Sequence, residues 1–353
     1  MAHALTNTAG KIEMAYVGEM PWHGLGQKLD QTAGIPEWLK AAGMEWRIRK
    51  VPLRYYADRA QTDLRTDDEM SVLIRNDTGA RLGVVSSDYQ IVQPADVIEY
   101  FQDLVEYSGF KLHTAGTLFG GKKFWALAQI DEASVPNFGW DKIGGFYLLS
   151  SSADGSRATD GRETTVRVVC NNTLTAALEV EGKTIKHGFK LSHRQRFDAD
   201  KVKKSMGMSR ESFHATMETI GRLASVPMTF AAADDFVLRL LKPSEEAKLA
   251  IEQNAAADTF EALLARGSSF SPVEPESRRP RGADTILGLF SGEGKGATQK
   301  GSSGTAWGLV NAVTEYIDHY ATAKSPDHLL ERSLWGSGDE LKTAAYNQAL
   351  AYC

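Results

Sequence analysis

Between residues 70 and 170 the chain carries three successive hairpin patterns and one amphipathic helix, and a hairpin can join only antiparallel strands. The first hairpin is Ser71-Val72-Leu73-Ile74-Arg75, a turn at Asn76-Asp77-Thr78-Gly79, then Arg81-Leu82-Gly83-Val84-Val85. Its β-branched arms and turn formers stand where a hairpin needs them. Phe110-Lys111-Leu112-His113 and Lys123 to Ile130 make the second, around Gly120-Gly121. Gly145 to Ser150 and Thr164 to Cys170 make the third, joined by a loop holding Asp154-Gly155 and Asp160-Gly161. Ahead of the second hairpin, Pro94 suits a first helical turn, and Val97, Ile98, Phe101, Leu104 and Val105 recur at spacings of three and four until Ser108-Gly109. The expected fold class is α+β, a largely antiparallel β-hairpin sheet with a packed amphipathic helix, followed by a mainly helical C-terminal region.

The rest of the chain divides by composition. Residues 1–65 read as an irregular N-terminal wrap, with an aromatic turn at Pro21-Trp22-His23-Gly24 and a short helical patch at Pro36-Glu37-Trp38-Leu39-Lys40. The α+β core is expected over 66–196 and a helical region over 197–268, where Val237, Leu238, Leu240 and Leu241 cluster. Pro272, Pro275 and Pro280, then the Gly- and Ser-rich run 291–304, mark 269–304 as loops. A last helical segment fills 305–353, with Trp307, Val310, Val313 and Ile317 on one face and Thr305 or Ser303 as its cap.

With 42% hydrophobic and 24% charged residues the chain can bury a core, which excludes disorder along its whole length. No basic leader precedes an apolar run, and no stretch approaches the ~18 apolar residues that span a bilayer. A soluble, cytoplasmic protein is expected. Cys170 and Cys353 show no sign of pairing, and Cys170 ends an apolar strand pattern as a core thiol would.

Charge is unevenly spread. From Lys183 to Arg210 nine basic residues face two aspartates, on a chain whose formal charge is −5. Such a local excess is the footprint of a polyanion site, or else a solvated charged surface.

Other candidate motifs lack parts. Gly292-Glu293-Gly294-Lys295-Gly296 has the glycines of a phosphate loop, but Lys295 is followed by Gly296 instead of Ser or Thr, and Ile286 to Phe290 reads as helix where a strand is required. His187 and His193 have no further ligands at zinc spacing. Asp318-His319 near a helix end is a helix-terminus interaction. Asp154, Asp160 and Glu163 can be drawn as a metal-dependent nuclease centre, although hairpin turns produce the same spacing. Tyr89, Phe124, Trp125, Phe146 and Tyr147 are either stacking surfaces for bases or core. No cofactor is indicated.

Four segments in combination resemble a known family: Tyr89-Gln90-Ile91-Val92-Gln93, Thr114 to Ala128 around Phe119-Gly120-Gly121, Val168-Val169-Cys170-Asn171-Asn172-Thr173, and Gly304-Thr305-Ala306-Trp307-Gly308. They are similar to the phage/plasmid-like protein family, domain of unknown function 932. The resemblance implies a mobile-element origin and supplies no catalytic residue. In architecture alone, the order of hairpins, helix and basic segment is also similar to the Rad52-like single-strand annealing proteins of phages. The leading expectation is an oligomeric single-stranded DNA-binding and annealing protein without covalent chemistry. Lys183, Lys186, Lys190, Arg194, Arg196, Lys203 and Lys204 would contact phosphates, with Arg157, Arg162 and Arg167 on the neighbouring hairpin. The alternatives are a protein-binding modulator of host defence or plasmid maintenance, and a nucleic-acid enzyme holding a metal at Asp154, Asp160 and Glu163.

Overall fold

The structure, a computed structural model, describes residues 5–18, 25–108, 110–167, 172–174, 178–180, 183–185, 188–194, 209–241, 279–322, 332–333 and 335–353. Strands β1 (Asn7–Thr8) and β2 (Lys11–Ile12) form a small hairpin, and β3 (Met14–Tyr16) runs parallel to β4 (Gln27–Lys28). After helix α1 (Ile35–Ala41), strands β5 (Ile48–Tyr56), β6 (Leu64–Arg75) and β7 (Arg81–Ser86) make an antiparallel sheet in that order. Helix α2 (Pro94–Ser108) leads into β8 (Lys111–Leu118), β9 (Lys123–Val135), β10 (Phe138–Ser152) and β11 (Thr159–Arg167). Short strands β12 (Asn172–Leu174), β13 (Leu178–Val180), β14 (Lys183–Ile185) and β15 (Gly188–Leu191) follow. The central sheet runs β12-β11-β10-β9-β8-β3-β4, with β15 also paired to β11. Apart from β3 with β4 its neighbours are antiparallel, as the hairpin patterns require.

Two parts of the sheet system differ from the expected pattern. The segment 1–65, expected to be irregular, contributes β5, nine residues paired along β6. Val51 and Leu53 are half-buried between exposed Lys50, Pro52 and Arg54, an alternation too short and too weakly apolar to announce a strand, and backbone pairing to β6 holds β5 in place. The β9 and β10 arms also run past the expected ends, into a tight turn at Pro136-Asn137 where Asn137 takes a φ of 65°. Asn tolerates that left-handed conformation better than other side chains do.

One face of the central sheet packs on α2. Val97, Ile98 and Phe101 are wholly buried there, and the Phe101 ring meets Tyr147 of β10 edge-on at 6.5 Å. Burying a side chain of that size stabilises by about 1.5–3 kcal/mol. The other face carries a smaller cluster of Leu118, Trp125 and Leu148, with Trp335 packed against it.

Helices α3 (Ser209–Leu223), α4 (Phe230–Leu241), α5 (Ala283–Gly288), α6 (Ala306–Glu315) and α7 (Ser337–Leu350) share a second core, which takes in Val135 and Ile143 from the β9–β10 hairpin. The Thr-Ala-Trp-Gly run builds the joint. Thr305 caps α6 by accepting from the Gly308 amide, and Trp307 Nε1 donates to Asp141 of β10 at 3.2 Å. A Cβ at Gly308 would stand 1.8 Å from the Ser302 carbonyl oxygen, so only glycine lets the preceding loop lie against the helix.

Candidate nucleic-acid interface

Strand register brings several of the expected cations onto one band. Ser150 of β10 stands opposite Asp160 of β11, which stands opposite Lys190 of β15; Leu148, Arg162 and Gly188 form the next row. Directly opposed residues share a face. Lys190 is exposed, whereas Phe189 and Leu191 on either side turn into the main core. Gly161 makes that crossing possible, because a Cβ there would lie 2.3 Å from the Phe189 ring and 2.6 Å from the Tyr147 hydroxyl.

Arg157 enters the same band from the β10–β11 loop. Its guanidinium lies 5.4 Å from the Trp335 ring, donates to the Trp335 carbonyl at 3.3 Å and reaches Asp160 at 3.5 Å. Arg162 donates to Asp339 at the start of α7 over 2.7 Å and lies 3.7 Å from Asp160. Both arginines are therefore half-buried and partnered by carboxylates, which holds them in place and dampens their charge.

His193 fastens the end of the β15 segment to this loop. Its ring stacks on Tyr89 at 4.3 Å, with one nitrogen 3.1 Å from the Gln90 carbonyl and the other 3.1 Å from the Arg157 carbonyl. Burial pushes its pKa below the usual imidazole value, against the opposing pull of those two carbonyls. The next residue, Arg194, is exposed and interacts with Asp88. Lys123 of β9 is a cation that sequence reasoning missed. It pairs in register with Ser152, sits 5.2 Å from the Phe119 ring, and has its pKa lowered mainly by burial, with Asp154 opposing and Arg157 reinforcing. Nothing in an isolated Lys122-Lys123 pair distinguishes a buried ammonium from a surface one.

Of the residues expected to meet phosphate, Arg157, Arg162 and Lys190 thus gather around Asp160, and Arg194 follows His193 just past the end of β15. Arg167 lies on β11 and Lys183 on β14, their side chains outside the described residues. Lys186, Arg196, Lys203, Lys204 and Cys170 lie outside the described residues.

The carboxylates of the imagined metal centre have other work. Asp154 accepts from the Ser156 amide at 2.9 Å, Asp160 accepts from the Ser150 hydroxyl at 2.7 Å beside its two arginines, and Glu163 is buried. Among the described residues no group of three or more His, Cys, Asp or Glu side chains is placed to hold a metal ion. The candidate stacking residues Tyr89, Phe124, Trp125, Phe146 and Tyr147 are all buried, so they serve the core. The Gly-rich loop folds around a carboxylate of the protein itself: the Lys295 amide donates to the Glu315 side chain, at 3.0 Å to the nearer oxygen. That amide is directed at Glu315, and the segment before the loop is helical, as the sequence indicated.

A family model described as domain of unknown function (DUF932) matches residues 81–335, well over half the chain. The chain belongs to this family. In this DUF932 protein the match runs from β7 to Trp335, so the basic band and α6 fall inside it while β5 and β6 lie ahead of it. No curated protein and no solved structure gave a significant match. No helix among the described residues is long and apolar enough to cross a membrane.

Proposed function

We propose that this DUF932 protein binds and anneals single-stranded DNA as an oligomer, in the cytoplasm of a bacterial host and as part of a phage or plasmid system. The observation that supports this reading best is the band on β11 and β15, where exposed Lys190 stands opposite Asp160 beside half-buried Arg157 and Arg162, with exposed Arg194 just beyond the end of β15. Two solvated cations beside two positioned guanidiniums suit a row of phosphates, which need charge at intervals and no base-specific geometry. On a chain at −5 overall, a polyanion is held only where cations gather locally.

Replacing Lys190 and Arg194 by alanine together tests it. Affinity for a labelled single-stranded oligonucleotide drops across all sequences, and the slope of log affinity against log salt flattens by about 1.4, at ~0.7 per lost phosphate contact. Unchanged affinity in the double variant removes the band from the interface. A wild-type protein blind to oligonucleotide at low salt turns the band toward an acidic protein surface.

A further inference from the structure

The β5–β6 hairpin outgrows its sheet. Strand β7 pairs β6 only from Met70 to Ile74, whereas β5 and β6 stay paired to Tyr56 and Leu64. Residues 53–67 therefore form a two-stranded ribbon. Of the seven exposed large hydrophobic side chains among the described residues, Tyr55, Tyr56 and Leu64 lie on it, each about half exposed. An isolated two-stranded ribbon is marginal in water, and one that displays aromatic side chains beside an open edge is a template for strand addition.

The edge is covered at its base and open at its tip. At Ile48 the Gln93 side chain closes it, accepting from the Ile48 amide at 2.8 Å and donating to its carbonyl at 3.1 Å. At Ala57 the amide points the other way, to Asp63 of the opposite arm at 2.9 Å. Alternation along β5 then directs the amide and carbonyl of Arg54 and Tyr56 outward. Among the described residues no strand pairs with them. Pro52, also on this outward set, needs no partner for a missing N–H, and it limits addition to the tip.

We infer that the outer edge of β5 from Leu53 to Tyr56 is a homodimer interface, in which two copies add strand to strand in antiparallel fashion about a two-fold axis at Tyr55. That axis sets outward-facing Arg54 opposite outward-facing Tyr56 of the partner subunit, so both form hydrogen-bonded pairs and a guanidinium lies against an aromatic ring. Charge favours protein over nucleic acid as the occupant: Arg54, Arg59 and Arg65 are matched by Asp58, Asp63 and Asp67, and Arg65 pairs with Asp63 at 2.6 Å. A neutral ribbon brings two copies together without repulsion and gives a polyanion no net attraction. The inference supplies a contact surface for the oligomer proposed above, yet it is read by mass, independently of DNA binding.

Sedimentation velocity of the full chain over a micromolar concentration series tests it. The wild type shows a concentration-dependent species of twice the chain mass. Tyr55→Lys with Tyr56→Lys, and separately Arg54→Pro, which removes an outward amide while leaving the ladder to β6, both sediment as monomer with unchanged circular dichroism. A wild type that stays monomeric, or well-folded variants that dimerise like it, overturns the inference. So does a lysine variant that changes oligonucleotide affinity and leaves the mass distribution alone, which would make the ribbon a nucleic-acid surface.

Discussion

Arg75, at the end of β6, donates to Glu13, just before β3, at 2.8 Å, and both side chains are almost wholly buried. The pair ties the three-stranded sheet to the central one. Around it, Arg75 also pairs with Asp77 at 2.8 Å and lies 4.1 Å from the Trp46 ring, while Glu13 accepts from Thr8 at 2.7 Å and from Thr117.

Removing one member leaves a buried charge without its partner. Arg75→Met is expected to lower unfolding free energy by about 3–5 kcal/mol in denaturant titrations, and Arg75→Met with Glu13→Leu by distinctly less than the single change. A single-variant loss under about 1 kcal/mol would show that the network is not holding the sheets together.

A second buried ion pair lies in the helical region. Lys342 of α7, 1% exposed, donates to Asp318 and, at 2.9 Å, to the Ser333 hydroxyl, which itself donates to Asp318. Lys342→Met should again cost roughly 3–5 kcal/mol in denaturant titrations. Lys342→Arg should fail to restore the loss, because a planar guanidinium does not fit the space of a compact ammonium.

What the sequence revealed depended on how local each signal is. The Asn76–Gly79 turn and the Pro94 helix start carry their geometry within a few residues, and both stand where expected. Helix α6 was legible for the same reason, and of the two caps the sequence offered, Thr305 and Ser303, Thr305 is the one that serves. By contrast, β5 depends on a partner strand, and the Glu13–Arg75 and Arg162–Asp339 contacts join residues 62 and 177 positions apart. Trp335 and Asp339 belong to the surroundings of the basic band only because α7 returns to β11, which no window of sequence displays. The positive charge of 183–210 was plain, but only register shows that Lys190 shares a face with Arg162.

Asp339 restrains Arg162, so its charge opposes any polyanion on the band. Asp339→Asn should raise oligonucleotide affinity several-fold at low salt, an advantage that fades as salt rises. Fluorescence anisotropy at two salt concentrations measures it, and a loss of affinity would show that Asp339 positions Arg162 instead of competing for it.

Burial pushes the pKa values of both His113 and His193 below that of free imidazole. The unfolded chain then takes up protons first, so their contribution to stability is complete above pH ~6.5 and is lost as pH falls toward the lowered folded-state values. The thermal midpoint should decline over that window. His193→Gln should flatten the decline, and a profile identical to the wild type would remove His193 from the pH dependence.

The most direct test of the DNA reading is the affinity of the unaltered protein for a labelled single-stranded oligonucleotide across a salt series. Tight binding at low salt that weakens linearly on a log–log plot, with little dependence on base sequence, is the result expected of a phosphate-tracking band on β11 and β15. Absent binding at low salt, or affinity indifferent to salt, would contradict it.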